Sequence, residues 1–182
     1  MNYFRKAMVV SGLALVAAMS PALRAQALNS NVATVNLNAV LAESLTVAAA
    51  PATVNFTLVP NGTANGSSSI TVNTNWALGK TRTSMKVYAY FSSAVGLTDG
   101  AGDNIPTSNV LGSINAGAFN PFTGGVSPFG VNSQVVFSQA IGGAGTFNSS
   151  HSDTIALQIN TTGLALPAAT YTGVLNIQAQ AL

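Results

Sequence analysis

The sequence has no cysteine and very little charge. Of its 182 residues only 5% are charged, whereas ordinary globular domains have about 25%. Without cysteine there is no disulfide framework, so apolar burial and backbone hydrogen bonds must hold any fold together. A surface with so little charge does little to oppose association, which favours self-assembly or display on a cell surface.

Side chains that carry acid–base or metal chemistry are equally scarce. The whole chain has one histidine and four acidic residues. Few catalytic or metal-binding constellations can be built from this set, so we expect no enzyme activity, no cofactor and no metal site. The histidine lies in SSHSD, Ser149 to Asp153, and the sequence contains no GxSxG nucleophile elbow. We interpret SSHSD as a solvated loop before a strand.

The first 27 residues, MNYFRKAMVVSGLALVAAMSPALRAQA, have the pattern of a secretory signal peptide. Two basic residues precede an apolar run from Ala7 to Met19, and an A-x-A site ends at Ala27. The run is shorter than the roughly 20 apolar residues of a membrane span; an uncleaved N-terminal anchor is the alternative. We predict a signal peptide over 1–27, a single domain over 28–182, and secretion to the periplasm or the cell surface.

Cleavage after Ala27 would change the sign of the net charge. The full chain has a formal net charge of +2. Three of its six basic residues lie in the signal peptide, which leaves three basic residues against four acidic ones and a net charge of −1. This balance excludes the basic footprint of a nucleic-acid-binding protein.

Alternation of apolar and polar residues recurs after the signal peptide in short runs, separated by Gly, Pro, Asn and Ser clusters. Helical periodicity is nearly absent. The pattern predicts an all-β fold, an immunoglobulin-like antiparallel β-sandwich of about 7–9 strands. The predicted strands are Ala33–Val47, Thr53–Val59, Ser69–Trp76, Ser84–Phe91, Val110–Asn115, Ser133–Ile141, Asp153–Asn160 and Tyr171–Ala181.

The first of these runs, VATVNLNAVLAESLTV, has a row of apolar residues in one register that Glu43 interrupts. A carboxylate on a buried face is costly, so we expect a bulge or a change of sheet at Ala42–Ser44. The row is the candidate for a strand donated to another subunit. It consists of Val35, Leu37, Ala39 and Leu41.

Three features offer an alternative in ligand binding. DGAGDN, Asp99–Asn104, has the composition of a calcium loop without the EF-hand order, so a hairpin tip is the other interpretation. Tyr88 and Tyr90 either cover the second sheet or form an exposed aromatic face. Residues 92–132 are rich in Gly, Pro, Asn and Ser, and a long irregular connection of this kind is where specific binding is expected.

The end of the chain, LPAATYTGVLNIQAQAL, alternates up to its last residues. It resembles the closing strand of small bacterial secreted immunoglobulin-like subunits, in which a leucine-proline-x-x-x-tyrosine-threonine-glycine stretch leads into the last strand. Such families include the spore coat protein U domain and the related archaic chaperone–usher pilus subunits. ATVNLNAVLAESLTV, Ala33–Val47, loosely resembles their N-terminal segment.

The resemblance implies a secreted, non-enzymatic structural or adhesive surface protein of fimbrial type. In the pilus subunits the N-terminal segment of one subunit completes the sheet of its neighbour by β-strand addition. The implied partners are further copies, other surface proteins or a periplasmic chaperone.

Two interpretations of the first run remain open on the sequence alone. Leu28–Leu41 is either donated to a neighbour or is the first strand of a self-complete domain. A self-complete domain would fit an extracellular module that binds carbohydrate, or that binds in a calcium-dependent manner.

Overall fold

The computed structural model describes residues 28–125, 128–143 and 145–182, and the predicted signal peptide lies outside them. The chain divides into two units, one ending at Ala39 and one from Val40 to Leu182. In the first unit, residues 28–39 have no regular secondary structure and exposed side chains. Along the described ranges, no helix is long and apolar enough to cross a membrane.

The second unit consists of β-strands with one short 3₁₀ turn, Thr107–Asn109. Its described residues form eleven strands, several of them only two to four residues long, so the longer ones agree with the predicted number. This confirms the predicted all-β fold. The strands are β1 Ser44–Ala50, β2 Thr63–Asn65, β3 Ile70–Ala77, β4 Ser84–Phe91, β5 Val95–Thr98, β6 Asn104–Pro106, β7 Val110–Ile114, β8 Asn120–Pro121, β9 Asn132–Ala140, β10 Asn148–Asn160 and β11 Asn176–Ala181.

Two antiparallel sheets pack as a sandwich, and β5 and β6 form a separate two-stranded hairpin. The first sheet has the order β1-β3-β10-β7-β8, with β2 also paired to β10, and the second has the order β11-β4-β9. In an immunoglobulin-type sandwich, strands A, B, E and D form one sheet and strands C, F and G the other. Here β1, β3, β10 and β7 take the first four places, and β4 and β11 take those of C and F. The strand β9 pairs with the other edge of β4 and has no counterpart among C, F and G.

The core lies between the two sheets, and strict alternation builds it. Every second residue of β3 from Ile70 to Trp76 is buried and those between are exposed, because successive side chains point to opposite faces of a sheet. The indole Nε1 of Trp76 donates a hydrogen bond of 2.8 Å to the carbonyl of Thr146, which satisfies its polar atom inside the core. The strand β4 adds Met85, Val87, Ala89 and Phe91, and β10 adds Ile155, Leu157 and Ile159.

Several predicted strand bounds were wrong. The first strand begins only at Ser44, the last begins at Asn176, and residues 53–59 form a single β-bridge between Phe56 and Gly66. Val54, Phe56 and Leu58 nevertheless pack against the core. Alternation of apolar and polar residues in this run therefore indicates that one side of the segment is buried. It does not by itself indicate pairing with another strand.

The prediction of a solvated SSHSD loop was also wrong. These residues belong to β10 and pair with β3, which places Asp153 in the core with 1% of its surface exposed. Its Oδ1 accepts a hydrogen bond of 2.8 Å from Nδ2 of Asn115 and lies 3.2 Å from Nε2 of His151. The His151 ring stacks on Phe137 of the opposite sheet, with 3.8 Å between ring centroids. One oxygen of the carboxylate is thus held by polar neighbours inside an apolar core, whereas Oδ2 is buried without a hydrogen-bond partner among the described residues.

Asn115→Ala should destabilise the domain by about 2 to 3 kcal/mol, because it leaves the buried carboxylate of Asp153 without its amide donor. The change also removes the acceptor of the Thr154 N–H, at a position with φ of +50° that alanine disfavours. Urea unfolding would measure the difference, with Asn73→Ala on the exposed face of β3 as the matched control. A shift of Asn115→Ala no larger than that of the control would contradict this account.

Candidate functional site

An apolar groove of about 960 Å³ opens at one end of the sandwich. Core side chains that include Ile70, Phe91 and Leu157 form its floor. One wall is the segment 51–60 after β1, and the other is the segment 164–175 before β11. Both walls belong to the second unit of the chain, and both are connections rather than ladder strands.

The first wall is held by few backbone contacts. Val54, Phe56 and Leu58 turn toward the core and are half-buried, while Val59 is 50% exposed. The wall contacts its neighbours through the Phe56–Gly66 bridge, through two hydrogen bonds between Asn55 and Ser67, and through a hydrogen bond from the Thr161 hydroxyl to the carbonyl of Val59. Its inner side is therefore an apolar surface with little ladder pairing.

The second wall contains the leucine-proline-x-x-x-tyrosine-threonine-glycine stretch, and each of its later residues has a structural role. The hydroxyl of Tyr171 donates to the carbonyl of Pro167 at 3.1 Å, as in the tyrosine corner before strand F of immunoglobulin-type sandwiches. Partial burial raises the pKa of Tyr171, and the carboxylates of Asp103 and Asp99 raise it further. The phenol therefore stays protonated and able to donate at neutral pH.

The β5–β6 hairpin anchors this wall from outside. The N–H groups of Thr98 and Thr172 each donate to the other residue's carbonyl at 2.9 Å. Next to this bridge the backbone of Gly173 lies against Gly96, and a Cβ on Gly173 would overlap the carbonyl oxygen of Gly96. Only glycine permits so close a backbone approach.

The last strand borders the groove with an unpaired edge. Among the described residues, β11 pairs only with β4, and Leu175 and Ile177 at its start line the groove. In an immunoglobulin-type sandwich the strand F lies between C and G. The place of strand G beside β11 is therefore not filled by any described strand.

The predicted donor row lies outside every strand. Val35, Leu37 and Leu41 are exposed by 81%, 92% and 83%, and Ala39 is exposed as well. The structure thus places four apolar side chains, alternating with polar ones at 36 and 38, in a stretch without regular secondary structure.

The opposite end of the sandwich is closed by a group that we call the Glu43 latch, made of Glu43, Gly79 and Arg82. The Oε1 atom of Glu43 accepts a hydrogen bond from the Gly79 N–H. Its Oε2 lies 2.9 Å from Nη2 of Arg82. The Nη1 of Arg82 lies 3.5 Å from the carbonyl of Ala181, so the latch joins the edges of both sheets.

The DGAGDN loop is the tip of the β5–β6 hairpin. Its first carboxylate is engaged by the loop backbone, because Oδ1 of Asp99 accepts the N–H groups of Ala101, Gly102 and Asp103 at 2.8, 3.1 and 3.0 Å. These hydrogen bonds, that from Ala101 foremost, lower the pKa of Asp99. The described residues hold no cluster of three or more His, Asp or Glu that fits a metal ion. The geometry is that of a self-satisfied turn.

The two tyrosines do not form an open aromatic face. Tyr88 is buried, and Tyr90 donates to Oε1 of Gln178 at 3.0 Å. Phe129 covers both rings, with centroid distances of 5.9 Å to Tyr88 and 5.7 Å to Tyr90. In the 92–132 region Phe122 is likewise fully buried. These aromatic residues pin the long connection to the sandwich.

Sequence reasoning singled out the Tyr171 stretch, and its donor row stays a prediction; it missed two contacts. One is the anchoring of Thr172 and Gly173 by the β5–β6 hairpin, and the other is the latch. The interruption of the apolar alternation at Glu43 was the available signal for the latch. Comparison with protein-family models and with curated proteins finds no match to this chain.

Gly173→Ala should destabilise the domain by about 1 to 3 kcal/mol, because the methyl group meets a backbone carbonyl that has no rotamer to change. Gly142→Ala is the control, since no atom lies within 4 Å of a Cβ at that position. Thermal and urea unfolding of both variants would compare them. Equal stabilities would show that the Gly96–Gly173 approach is not restrictive.

Glu43 should titrate below the ordinary glutamate pKa of about 4.3. Its hydrogen bond with Arg82, and then that from the Gly79 N–H, lower the pKa of its carboxyl. A pKa depressed in the folded state adds stability that is complete above the unfolded pKa and is lost as pH falls through the folded one. The stability advantage over Glu43→Gln should thus be constant above about pH 5 and shrink below about pH 4. Carboxyl-carbon NMR titration checks the direction, and a midpoint at or above the ordinary value would refute it.

Proposed function

We propose that this protein is a secreted structural subunit of fimbrial type that assembles by β-strand addition. The row of Val35, Leu37, Ala39 and Leu41 from one copy fills the apolar groove of another and pairs with the free edge of β11. One observation carries the proposal: the same chain has an unfilled strand position beside β11 and an exposed segment of alternating apolar and polar residues.

The main-chain part of the interaction rests on the edge of β11. An unpaired edge offers a row of N–H and C=O groups to any extended segment. An added strand would give β11 neighbours on both sides, as strand F has in a complete sandwich. When extended, the segment from Val35 to Leu41 spans about 20 Å. Ile177 of β11 lines the groove, so the pairing involves the groove end of β11.

The side-chain part rests on matching apolar surfaces. The groove is bordered by side chains that include Val54, Leu164 and Leu175, and the three large side chains of the row are more than 80% exposed. Burial of each large aliphatic side chain contributes about 1.5 to 3 kcal/mol. Residues 28–42 contain no charged side chain, so insertion brings no charged side chain into the groove. The donated segment is thus suited to an apolar site.

The alternative function, a module that binds carbohydrate or binds in a calcium-dependent manner, has less support. The two tyrosines are covered, and the Asp99 carboxylate is already hydrogen-bonded within its own loop. An aromatic platform needs accessible ring faces, and Phe129 lies against both tyrosines. A calcium site needs about six to eight oxygen ligands, and the described residues do not bring such a cluster together. Structural assembly is therefore the function that the geometry supports best.

Leu37→Asp should convert assembled protein to monomer, because it places a charge in the centre of the donated row. The loss of Leu37 burial alone predicts at least about tenfold weaker association. Val40→Asp is the matched control: Val40 lies in the same segment and is 84% exposed, but its side chain would face away from the groove. Size-exclusion chromatography with light scattering on the chain from Leu28 measures the result.

The proposal requires oligomers for the unmodified chain and for Val40→Asp, and monomers for Leu37→Asp. A monomeric unmodified chain would contradict it, as would an equal effect of the two substitutions. A synthetic peptide of residues 28–41 should bind the Leu37→Asp chain, whose groove is then vacant, and the same peptide with Asp at position 37 should not.

A further inference from the structure

The outer face of β11 presents an amide side chain beside the unpaired edge. Ile177, Ala179 and Ala181 pack against the core. The residues between them therefore face outward, because successive side chains of a strand point to opposite faces of a sheet. Gln178 is one of these outward residues; it is exposed and directly follows Ile177, which lines the groove. An outward-facing glutamine thus lies at the groove end of β11.

The amide group of Gln178 is oriented by the neighbouring strand. Its Oε1 accepts a hydrogen bond of 3.0 Å from the hydroxyl of Tyr90, which lies on β4, the strand paired with the other side of β11. The Tyr90 ring in turn stacks on Phe129, with 5.7 Å between the ring centroids. Within the described part of the chain, Gln178 makes no other side-chain hydrogen bond. Because a glutamine nitrogen can donate two hydrogen bonds, Nε2 of Gln178 remains available as a donor.

The first sheet contains an amide pair of the kind that Gln178 could form. Gln158 of β10 and Asn65 of β2 lie directly opposite each other on antiparallel strands. Nε2 of Gln158 donates a hydrogen bond of 2.9 Å to Oδ1 of Asn65. Both side chains lie on the outer face of the sheet, since their neighbours Leu157 and Ala64 are buried. A glutamine–asparagine pair across two strands is therefore already an element of this fold.

The donated segment would bring asparagine to the outer face of β11. In the proposed assembly the donor row faces the groove, so Asn36 and Asn38, which alternate with it, face outward on the side of Gln178. Asparagine is depleted in β-strands, so its presence at two successive outward positions calls for a contact that an amide makes. Each of the two side chains has a carbonyl oxygen that can accept a hydrogen bond from a glutamine nitrogen.

We propose that Gln178 is a specificity-determining residue of the groove: its Nε2 donates a hydrogen bond to the side-chain oxygen of Asn36 or Asn38 in the donated segment. The pair would repeat the contact between Gln158 and Asn65. The segment of a second copy is then recognised on both faces, by apolar contacts inside the groove and by an amide pair outside it. The inference rests on the proposed function, since it concerns the same segment at the same strand edge.

A double-mutant cycle between peptide and chain tests the amide pair. The peptide of residues 28–41, with and without Asn36→Ala or Asn38→Ala, is titrated into the Leu37→Asp chain by isothermal titration calorimetry. The titrations are repeated with Gln178→Ala added to that chain. Cross-strand pairs of this kind change affinity by about 1.4-fold to fivefold. For at least one asparagine, the loss of affinity on substitution should be larger by this factor when Gln178 is present.

Gln158→Ala in the same Leu37→Asp chain is the matched control, because it removes an outward glutamine from the other sheet and should leave the affinity for the peptide unchanged. Far-ultraviolet circular dichroism checks that each variant is folded. The inference is overturned if neither asparagine couples with Gln178 more strongly than with Gln158, and strand addition then stands without it. Failure of the unmodified peptide to bind the Leu37→Asp chain would instead overturn the proposed function itself.

Discussion

The free edge of β11 is the constraint on which the rest of the structure depends. A strand in the F position of a sandwich has neighbours on both sides, whereas among the described residues β11 pairs with β4 alone. The groove follows from this, because the missing neighbour would have covered the floor between the two walls. The same absence accounts for the two walls. Each wall is a connection that an added strand beside β11 would bring next to a sheet, and each has apolar residues that point into the groove.

The groove persists because its second wall is anchored from outside. The Tyr171 hydroxyl fixes the corner before β11, and the Thr98–Thr172 bridge ties the same stretch to the β5–β6 hairpin. An apolar groove without such supports would be expected to close by collapse of its walls, since the packing of protein interiors leaves few voids. The other wall, residues 51–60, forms no strand and contacts its neighbours through the Phe56–Gly66 bridge and through hydrogen bonds of Asn55 and Val59.

The sequence predicts those parts of the architecture that depend on neighbouring residues in the chain, and it fails where pairing between distant segments decides the structure. The bounds of β4 were predicted to the residue and those of β3 nearly so, because each is a clean alternation between turn residues. The run at 53–59 alternates as well as a strand does, but its burial comes from the groove floor and it has no ladder partner. SSHSD has the composition of a loop, yet its residues join β10 because β3 supplies a partner along Asn148–Ile155. Pairing between distant segments is what composition does not report.

The candidate site shows the same division. The donor row and the tyrosine–threonine–glycine stretch were visible as patterns, whereas the reason for Gly173 is a backbone approach to Gly96, more than 70 residues away in the chain. Glu43 was recognised as an interruption of an apolar row, and its partner Arg82 lies on a turn that no periodicity marks. Contacts between residues far apart in the sequence give Gly173 and Glu43 their structural roles, and such contacts cannot be inferred from a local sequence pattern.

The position of Glu43 also makes sense of the interruption itself. In the proposed assembly, residues 35–41 lie in the groove of one copy and residues 44–50 form β1 of the next. One extended segment therefore serves two sandwiches. Residues 42 and 43 connect the two apolar parts of this segment and lie in neither core. An apolar residue at position 43 would therefore gain no burial. The carboxylate of Glu43 remains accessible to water and contacts Arg82 and the Gly79 N–H. Glu43 is therefore the boundary between the proposed donated segment and β1.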